Sequence, residues 1–313
     1  RDYLNTLVDA SVSDVDQQLC NLAFLKTHKT GSTTLSSLFY RYGVRHGLKV
    51  ARYKNGRPNI GKPLPIEKAF PKILEQCEGR VDVMHYHVGT SNSLGHKWNE
   101  AAAQYKTIMR DPDNINFVTI FREPRSRFLS YYYYFLSHKI GNFLLDTSHA
   151  GLERLESMRN TVAGELGITT QEELDDFVEN ALPKFKVVLL TDRFEEGLML
   201  LRNIFRWHLI DLSYISLNQT QTRMSAAKKR ASEKRGVEDH RPTFDELSIE
   251  AQNKIDELTS MDKAIYEAGK VHFEKALAPL AHQVAADVAG FNSLQELVAE
   301  YLESNRTSSA RDM

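Results

Sequence analysis

The sequence predicts an α/β fold, a central, mostly parallel sheet flanked by helices, and three observations carry that prediction. Short apolar runs of strand length alternate with longer stretches whose apolar residues recur at three- and four-residue spacing. Glycine, proline and hydroxyl residues punctuate the junctions. The polar residues with chemical potential collect just after the apolar runs, which in open parallel sheets is where ligands bind.

The first run, Asn21 to Lys26, ends in a Thr/Gly/Ser cluster from Thr27 to Thr34, and Leu35, Leu38, Phe39 and Val44 follow at helical spacing. This reads strand, loop, helix. Val81–His87 and Asn116–Phe121 read as further strands, the second running into Arg122, Glu123 and Pro124, where proline suits the first turn of a helix. Lys186–Leu190 is a fourth strand, with Thr191 and Asp192 as a helix cap and Phe194, Leu198, Leu201 and Ile204 as a helical stripe. Strands alternating with helices imply a sheet covered on both faces. Between Gln219 and Arg241 the chain turns polar and basic, the composition of a solvated loop. Phe244 to Glu303 carries helical periodicity and is expected to form a C-terminal helical layer packed on the same sheet. The expected division is an N-terminal extension over 1–19, one domain over 20–303 with a basic loop at 219–241, and a tail over 304–313.

The composition narrows the function. Forty Lys and Arg stand against 41 Asp and Glu, a net charge of -1, so a general polyanion binder is disfavoured and no nucleic-acid partner is expected. Any anion site must be local. Two cysteines, Cys20 and Cys77, supply neither a disulfide-rich scaffold nor a four-cysteine zinc site, but leave one bridge open. No stretch approaches 18 uninterrupted apolar residues, so a membrane anchor is expected only in an N-terminal segment outside this sequence. Asn218 and Asn305 stand in acceptor patterns for N-glycosylation.

Two clusters point to anion chemistry. After the first strand come Lys29, Thr30, Gly31, Ser32, Thr33 and Thr34 at a helix start, where free backbone N–H groups and the helix dipole favour an anion and glycine permits close approach. The pattern is not G-x-x-x-x-G-K-[ST], which disfavours a standard nucleotide triphosphatase. After the third strand, Arg122 offers a planar fork matched to phosphate oxygens, and Ser130 offers a hydroxyl two helical turns on. Arg127 reads as an ion-pair partner, and Tyr131 to Tyr134 as core packing with a wet rim. At the end of the second strand His85 and His87, two apart, share one strand face, and an imidazole titrating near ~6.5 suits a proton acceptor. A catalytic zinc would want three protein ligands, and no third is evident beside this pair, so no metal is expected.

Phe24 to Thr33 resembles the 5′-phosphosulfate loop of sulfotransferases, and Arg122-x-Pro-x-x-Arg127-x-x-Ser130 resembles their 3′-phosphate motif, in the same order. Lys-Thr-His-Lys-Thr-Gly-Ser, residues 26–32, is most similar to the galactose-3-O-sulfotransferases, Golgi type II membrane enzymes acting on galactosyl glycolipids and glycans. The resemblance implies a P-loop-like sulfotransferase domain that uses 3′-phosphoadenosine 5′-phosphosulfate as co-substrate, releases 3′,5′-bisphosphoadenosine and resides in the Golgi lumen. It implies donor binding by Lys29, Thr30, Gly31, Ser32, Thr33, Thr34, Arg122 and Ser130, with Lys29 stabilising the bridging oxygen. The His-x-His-Val arrangement resembles the strand end that bears the base in uronyl 2-O-sulfotransferases, which implies His87 as general base and His85 as its neighbour or an acceptor contact. His28 is the competing base, and a basic loop at 223–235 closing over the 3′-phosphate is a further implication. Trp98 and the tyrosine run are candidates for the glycan or glycolipid acceptor. A kinase would need an acidic Mg²⁺ ligand and a Walker loop. A non-catalytic glycan- or nucleotide-binding protein, and a sulfotransferase acting on a non-carbohydrate alcohol, are the alternative readings. Oligomeric state is left open.

Overall fold

A computed structural model describes residues 21–51, 66–87, 102–103, 105–136, 153–214 and 242–309. The N-terminal extension, Cys20, Trp98, Asn218 and the 219–241 basic loop lie outside the described residues.

The described strands form one parallel sheet in the order β2-β1-β3-β4: β1 (Leu22–Lys26), β2 (Val83–His87), β3 (Asn116–Phe121) and β4 (Phe185–Leu190). Every β1 residue is buried, as a strand covered on both faces requires. Val81, expected to open the second strand, instead makes an isolated bridge to Met109. The sheet turns back on itself between β1 and β3, so the crevice at their carboxyl ends is the topological switch point.

Helix α1 (Ser32–Arg45) follows β1 and buries Leu35, Leu38, Phe39 and Tyr42. Val44 was expected in that stripe and is 51% exposed, because nine residues beyond Leu35 brings a helix to its opposite side. Helix α2 (Ile66–Gln76) leads towards β2, and α3 (Pro124–Tyr131) follows β3. Pro124 takes the first turn of α3 as expected, while the Glu123 carboxylate accepts from the backbone N–H groups of Arg125 and Ser126. Short helices α4 (Thr161–Glu165) and α5 (Gln171–Asp176) precede β4, and α5 opens with a capping box between Thr170 and Glu173.

Helix α6 (Phe194–Phe205) buries Leu198 and Leu201 as predicted. Thr191 and Asp192 do not cap it. The Thr191 hydroxyl meets the Thr30 and Phe121 carbonyls at 2.8 and 3.1 Å, and the Asp192 carboxylate accepts from the Tyr266 hydroxyl at 3.0 Å. Tertiary acceptors and donors outcompete the local cap.

After α7 (Leu209–Leu212), the C-terminal layer consists of α8 (Ile249–Leu258), α9 (Ser260–Leu277) and α10 (Ala281–Ser309). It packs on the sheet as expected. α9 comes so close that a Cβ at Gly269 would lie 2.6 Å from Phe121 Cδ2, so only glycine fits the crossing. α10 is tied to α6 through Arg202 and Asn203, which meet Asp287 at 2.7 and 2.8 Å. A second apolar cluster, including Phe128, Tyr132, Leu155, Ile255 and Leu258, joins α3 to α8.

Candidate functional site

The loop from Thr27 to Gly31 fills the switch point. Lys29 at φ 64° and Gly31 at φ 76° both adopt the left-handed region, which glycine accepts readily and a lysine adopts at a cost. Its four successive carbonyls are each held from behind. The Thr27 carbonyl accepts from the hydroxyls of Thr30 and Ser32 at 3.1 and 2.6 Å. Arg127 Nε donates to the His28 carbonyl at 2.9 Å, Arg122 Nη1 to the Lys29 carbonyl at 3.2 Å, and Thr191 to the Thr30 carbonyl at 2.8 Å. With the carbonyls turned inward, the N–H groups of Thr30, Gly31, Ser32 and Thr33 meet no protein acceptor among the described residues. They form a cradle of outward amides at the start of α1, a geometry suited to an anion.

The hydroxyls divide by role. Thr30 and Ser32 are buried and spend their protons on the Thr27 carbonyl, so their hydroxyls shape the loop. Thr33 is exposed and Thr34 half-buried.

Arg122 leaves β3 at the other wall. Its Nε and Nη2 donate to Ser126 Oγ at 3.0 and 2.7 Å, which fixes the guanidinium while Nη1 reaches the Lys29 carbonyl. Burial lowers its pKa, with Glu123 opposing, but a guanidinium stays charged. Ser130 lies one turn beyond Ser126 on α3 and is half-buried. Arg127 is buried as an ion-pair partner, the bland expectation for it. Its Nη2 meets Glu165 Oε1 at 2.7 Å, with Asp262 Oδ2 3.8 Å from Nη1. The other Glu165 oxygen accepts the His28 backbone N–H at 2.7 Å. Arg127 and Glu165 thus hold the His28 peptide from both sides.

Residues 6–241 match the family model described as galactose-3-O-sulfotransferase, about three quarters of the chain. The chain belongs to the galactose-3-O-sulfotransferase family. It is 28% identical to bovine and to human galactosylceramide sulfotransferase over 218 residues, which cover 63% of this chain and 48% of each relative. Murine galactose-3-O-sulfotransferase 2 is 24% identical over 280 residues, 84% of this chain and 63% of that protein. The chain spans about half the length of the first curated relatives it matches. No solved structure matches it significantly.

In this member of the galactose-3-O-sulfotransferase family, β2 brings its histidine pair beside the anion loop. Lys26, the last residue of β1, is in register with His87, and Phe24 with His85. The His85 ring is fully buried, with Tyr40 as an aromatic neighbour at 6.4 Å, so it sits inside the wall rather than on an acceptor-facing surface. Burial and then the charge of Lys26 push its pKa down to about 3. Lys26 is itself buried, and desolvation lowers its pKa to about 8. Only the backbone of His87 belongs to the described structure. His28, the competing base, is half-buried, its Nδ1 3.2 Å from Glu165 Oε1 at an angle outside hydrogen-bond geometry. Its ring meets Phe135 edge-on at 5.7 Å.

The tyrosine run divides as expected between core and rim. Tyr132 is fully buried, the Tyr133 hydroxyl donates to the Pro242 carbonyl at 3.0 Å, and Tyr134 is exposed. Among the described residues no three His, Cys, Asp or Glu side chains gather closely enough to hold a metal ion, and no helix is long and apolar enough to cross a membrane. Sequence reading missed Ser126 and Glu165 altogether, and missed what Thr191 and Lys26 do beside the loop. Only Lys26 carried a signal, a charge closing an otherwise apolar strand.

Proposed function

We propose that the chain is a sulfotransferase that carries the sulfuryl group of 3′-phosphoadenosine 5′-phosphosulfate to a hydroxyl of a galactosyl glycolipid or other glycan. Membership in the galactose-3-O-sulfotransferase family supports the reaction class. The observation that carries the reading is the cradle of outward amides from Thr30 to Thr33, with all four loop carbonyls turned away from it.

In this reading the loop, with Lys29, Gly31 and the Thr33 and Thr34 hydroxyls, holds the phosphosulfate end, and Arg122 with Ser130 holds the 3′-phosphate. The acceptor oxygen attacks sulfur in line. As that O–S bond forms, the S–O bond to the 5′-phosphate breaks, and its electron pair leaves on the phosphate oxygen. Lys29 and the amide cradle oppose the charge growing there, an arrangement already set before reaction. His87, at the end of β2, takes the acceptor proton. The products are the sulfate ester and 3′,5′-bisphosphoadenosine. The unit carrying this chemistry is taken as residues 20–303, and family resemblance supports an activity in the Golgi lumen.

Bisphosphoadenosine at a hundred times its Kd should stabilise the fold by about 2.7 kcal/mol, read as a rise in melting temperature. No shift in the folded chain overturns the reading. Labelled sulfonucleotide offered across an acceptor panel then identifies the alcohol.

A further inference from the structure

On the rim of the anion pocket, α3 widens into a π turn, Tyr132–Leu136, a geometry that recurs beside functional sites. Tyr132 points into the core from this turn, whereas Tyr134 is 56% exposed. The Tyr134 ring stands edge-on to Phe135 at 4.6 Å, and Phe135 is backed by Tyr131 at 4.6 Å and by His28. This packing fixes the plane of an aromatic ring that buries little of itself. Lys29 Nζ lies 3.9 Å from the centroid of the same ring. A cation at that distance is attracted by the ring face.

We propose that Tyr134 is the acceptor platform of this site: its ring takes the C–H face of the galactosyl residue, and its contact with Lys29 couples acceptor binding to donor binding. The proposal rests on the sulfotransferase reading above. Galactose presents an apolar C–H face that packs on aromatic rings, with hydroxyls around its edge. Because the Lys29 side chain reaches this ring from the loop, a sugar stacked on the uncovered face lies within a lysine's length of the loop, which is the proximity an in-line transfer needs. A tyrosine has two side-chain torsions to fix, so the contact costs little ordering. Lys29 cannot both cover Tyr134 and neutralise the leaving phosphate. Donor phosphates draw the ammonium off the ring and uncover its face, so nucleotide strengthens acceptor binding, and by linkage acceptor strengthens nucleotide binding equally.

The test uses the full chain and octyl β-galactoside, with bisphosphoadenosine for the binding measurements and 3′-phosphoadenosine 5′-phosphosulfate as donor for turnover. In the wild type, galactoside affinity is expected to rise severalfold with saturating nucleotide. Tyr134→Ala is expected to raise the galactoside KM about tenfold, the loss typical of a truncated aromatic anchor. Nucleotide should bind severalfold more tightly to that variant, since no ring then competes for Lys29, and Tyr134→Phe, which keeps the ring face, should keep the galactoside KM. A normal nucleotide melting shift with an unaltered galactoside KM in Tyr134→Ala overturns the platform alone. Galactoside affinity indifferent to nucleotide overturns the coupling. Absence of any nucleotide response in the wild type overturns the donor reading, and this proposal with it.

Discussion

Arg127 Nη2 lies 2.7 Å from Glu165 Oε1 with both side chains buried, and this pair fastens the anion loop from beneath. Arg127 also holds the His28 carbonyl, and the second Glu165 oxygen holds the His28 N–H, so one ion pair sets the orientation of the peptide that precedes Lys29.

Two Glu165 variants separate the fold's share of this pair from the site's. Glu165→Ala and Glu165→Gln both leave Arg127 without its closest carboxylate, and breaking a buried pair costs about 3–5 kcal/mol. Glutamine retains an oxygen for the His28 N–H, whereas alanine does not. Denaturant unfolding should show similar losses for the two, while bisphosphoadenosine Kd rises about tenfold in the alanine variant and clearly less in the glutamine one. Equal nucleotide affinities would confine Glu165 to stability.

The base assignment predicts a split between binding and turnover. His87→Ala should keep the nucleotide-induced rise in melting temperature and lose transfer by about 10²–10⁴-fold, the usual contribution of general-base catalysis. Unchanged turnover moves the base elsewhere. His28, whose ring already lies against Glu165, is then the residue to vary next.

His85 makes a pH prediction with a definite sign. Burial, then Lys26, lowers its pKa from 6.5 to about 3, so over that interval the unfolded chain binds a proton that the folded chain refuses. The stability is fully present above the unfolded value and drains as the pH falls towards the folded one, at up to about 1.4 kcal/mol per pH unit. Urea unfolding of His85→Leu should therefore vary less with pH below the unfolded pKa than the wild type does. Parallel curves would mean that other groups carry the acid sensitivity. Lys26→Met removes the neighbouring charge and should bring the His85 titration, followed by NMR, closer to its ordinary value.

The strands were legible because their signal is local. Asn116–Phe121 is a run whose apolar and β-branched residues suit a sheet buried on both faces, and the structure keeps both its bounds. The Lys29 and Arg122 clusters were legible as neighbours at one crevice for the same reason, since each directly follows a strand. What holds them together was not. Glu165 is 137 residues from His28, and their contact depends on how α4 packs against the loop. Thr191 looks like a cap in sequence and acts as a strut between β3 and the anion loop. The spacing drew attention to Ser130, while the hydroxyl that aims Arg122 belongs to Ser126, one turn nearer. The register of Lys26 with His87 follows from strand order, which no local pattern encodes.

Gly269 tests whether the C-terminal layer acts on the site as well as covering the sheet. In a helix interior, alanine is favoured over glycine by ~1 kcal/mol, so α9 alone would gain from the substitution. Against that, the added Cβ would sit 2.6 Å from Phe121 Cδ2 and 3.0 Å from Cε2, and Phe121 is 2% exposed with little room to yield. Overpacking of this kind costs ~1–3 kcal/mol, and the depth of the clash puts Gly269→Ala near the upper end, a net loss of roughly 1–2 kcal/mol. Phe121 is followed directly by Arg122, and its carbonyl is one of the two that Thr191 ties together. A shift of Phe121 therefore reaches the guanidinium and the Thr30 carbonyl. The variant should melt lower and also show a smaller nucleotide-induced shift. A higher melting temperature would mean that the helix gain exceeds the clash, and an unchanged nucleotide shift would mean that the strain stops short of Arg122.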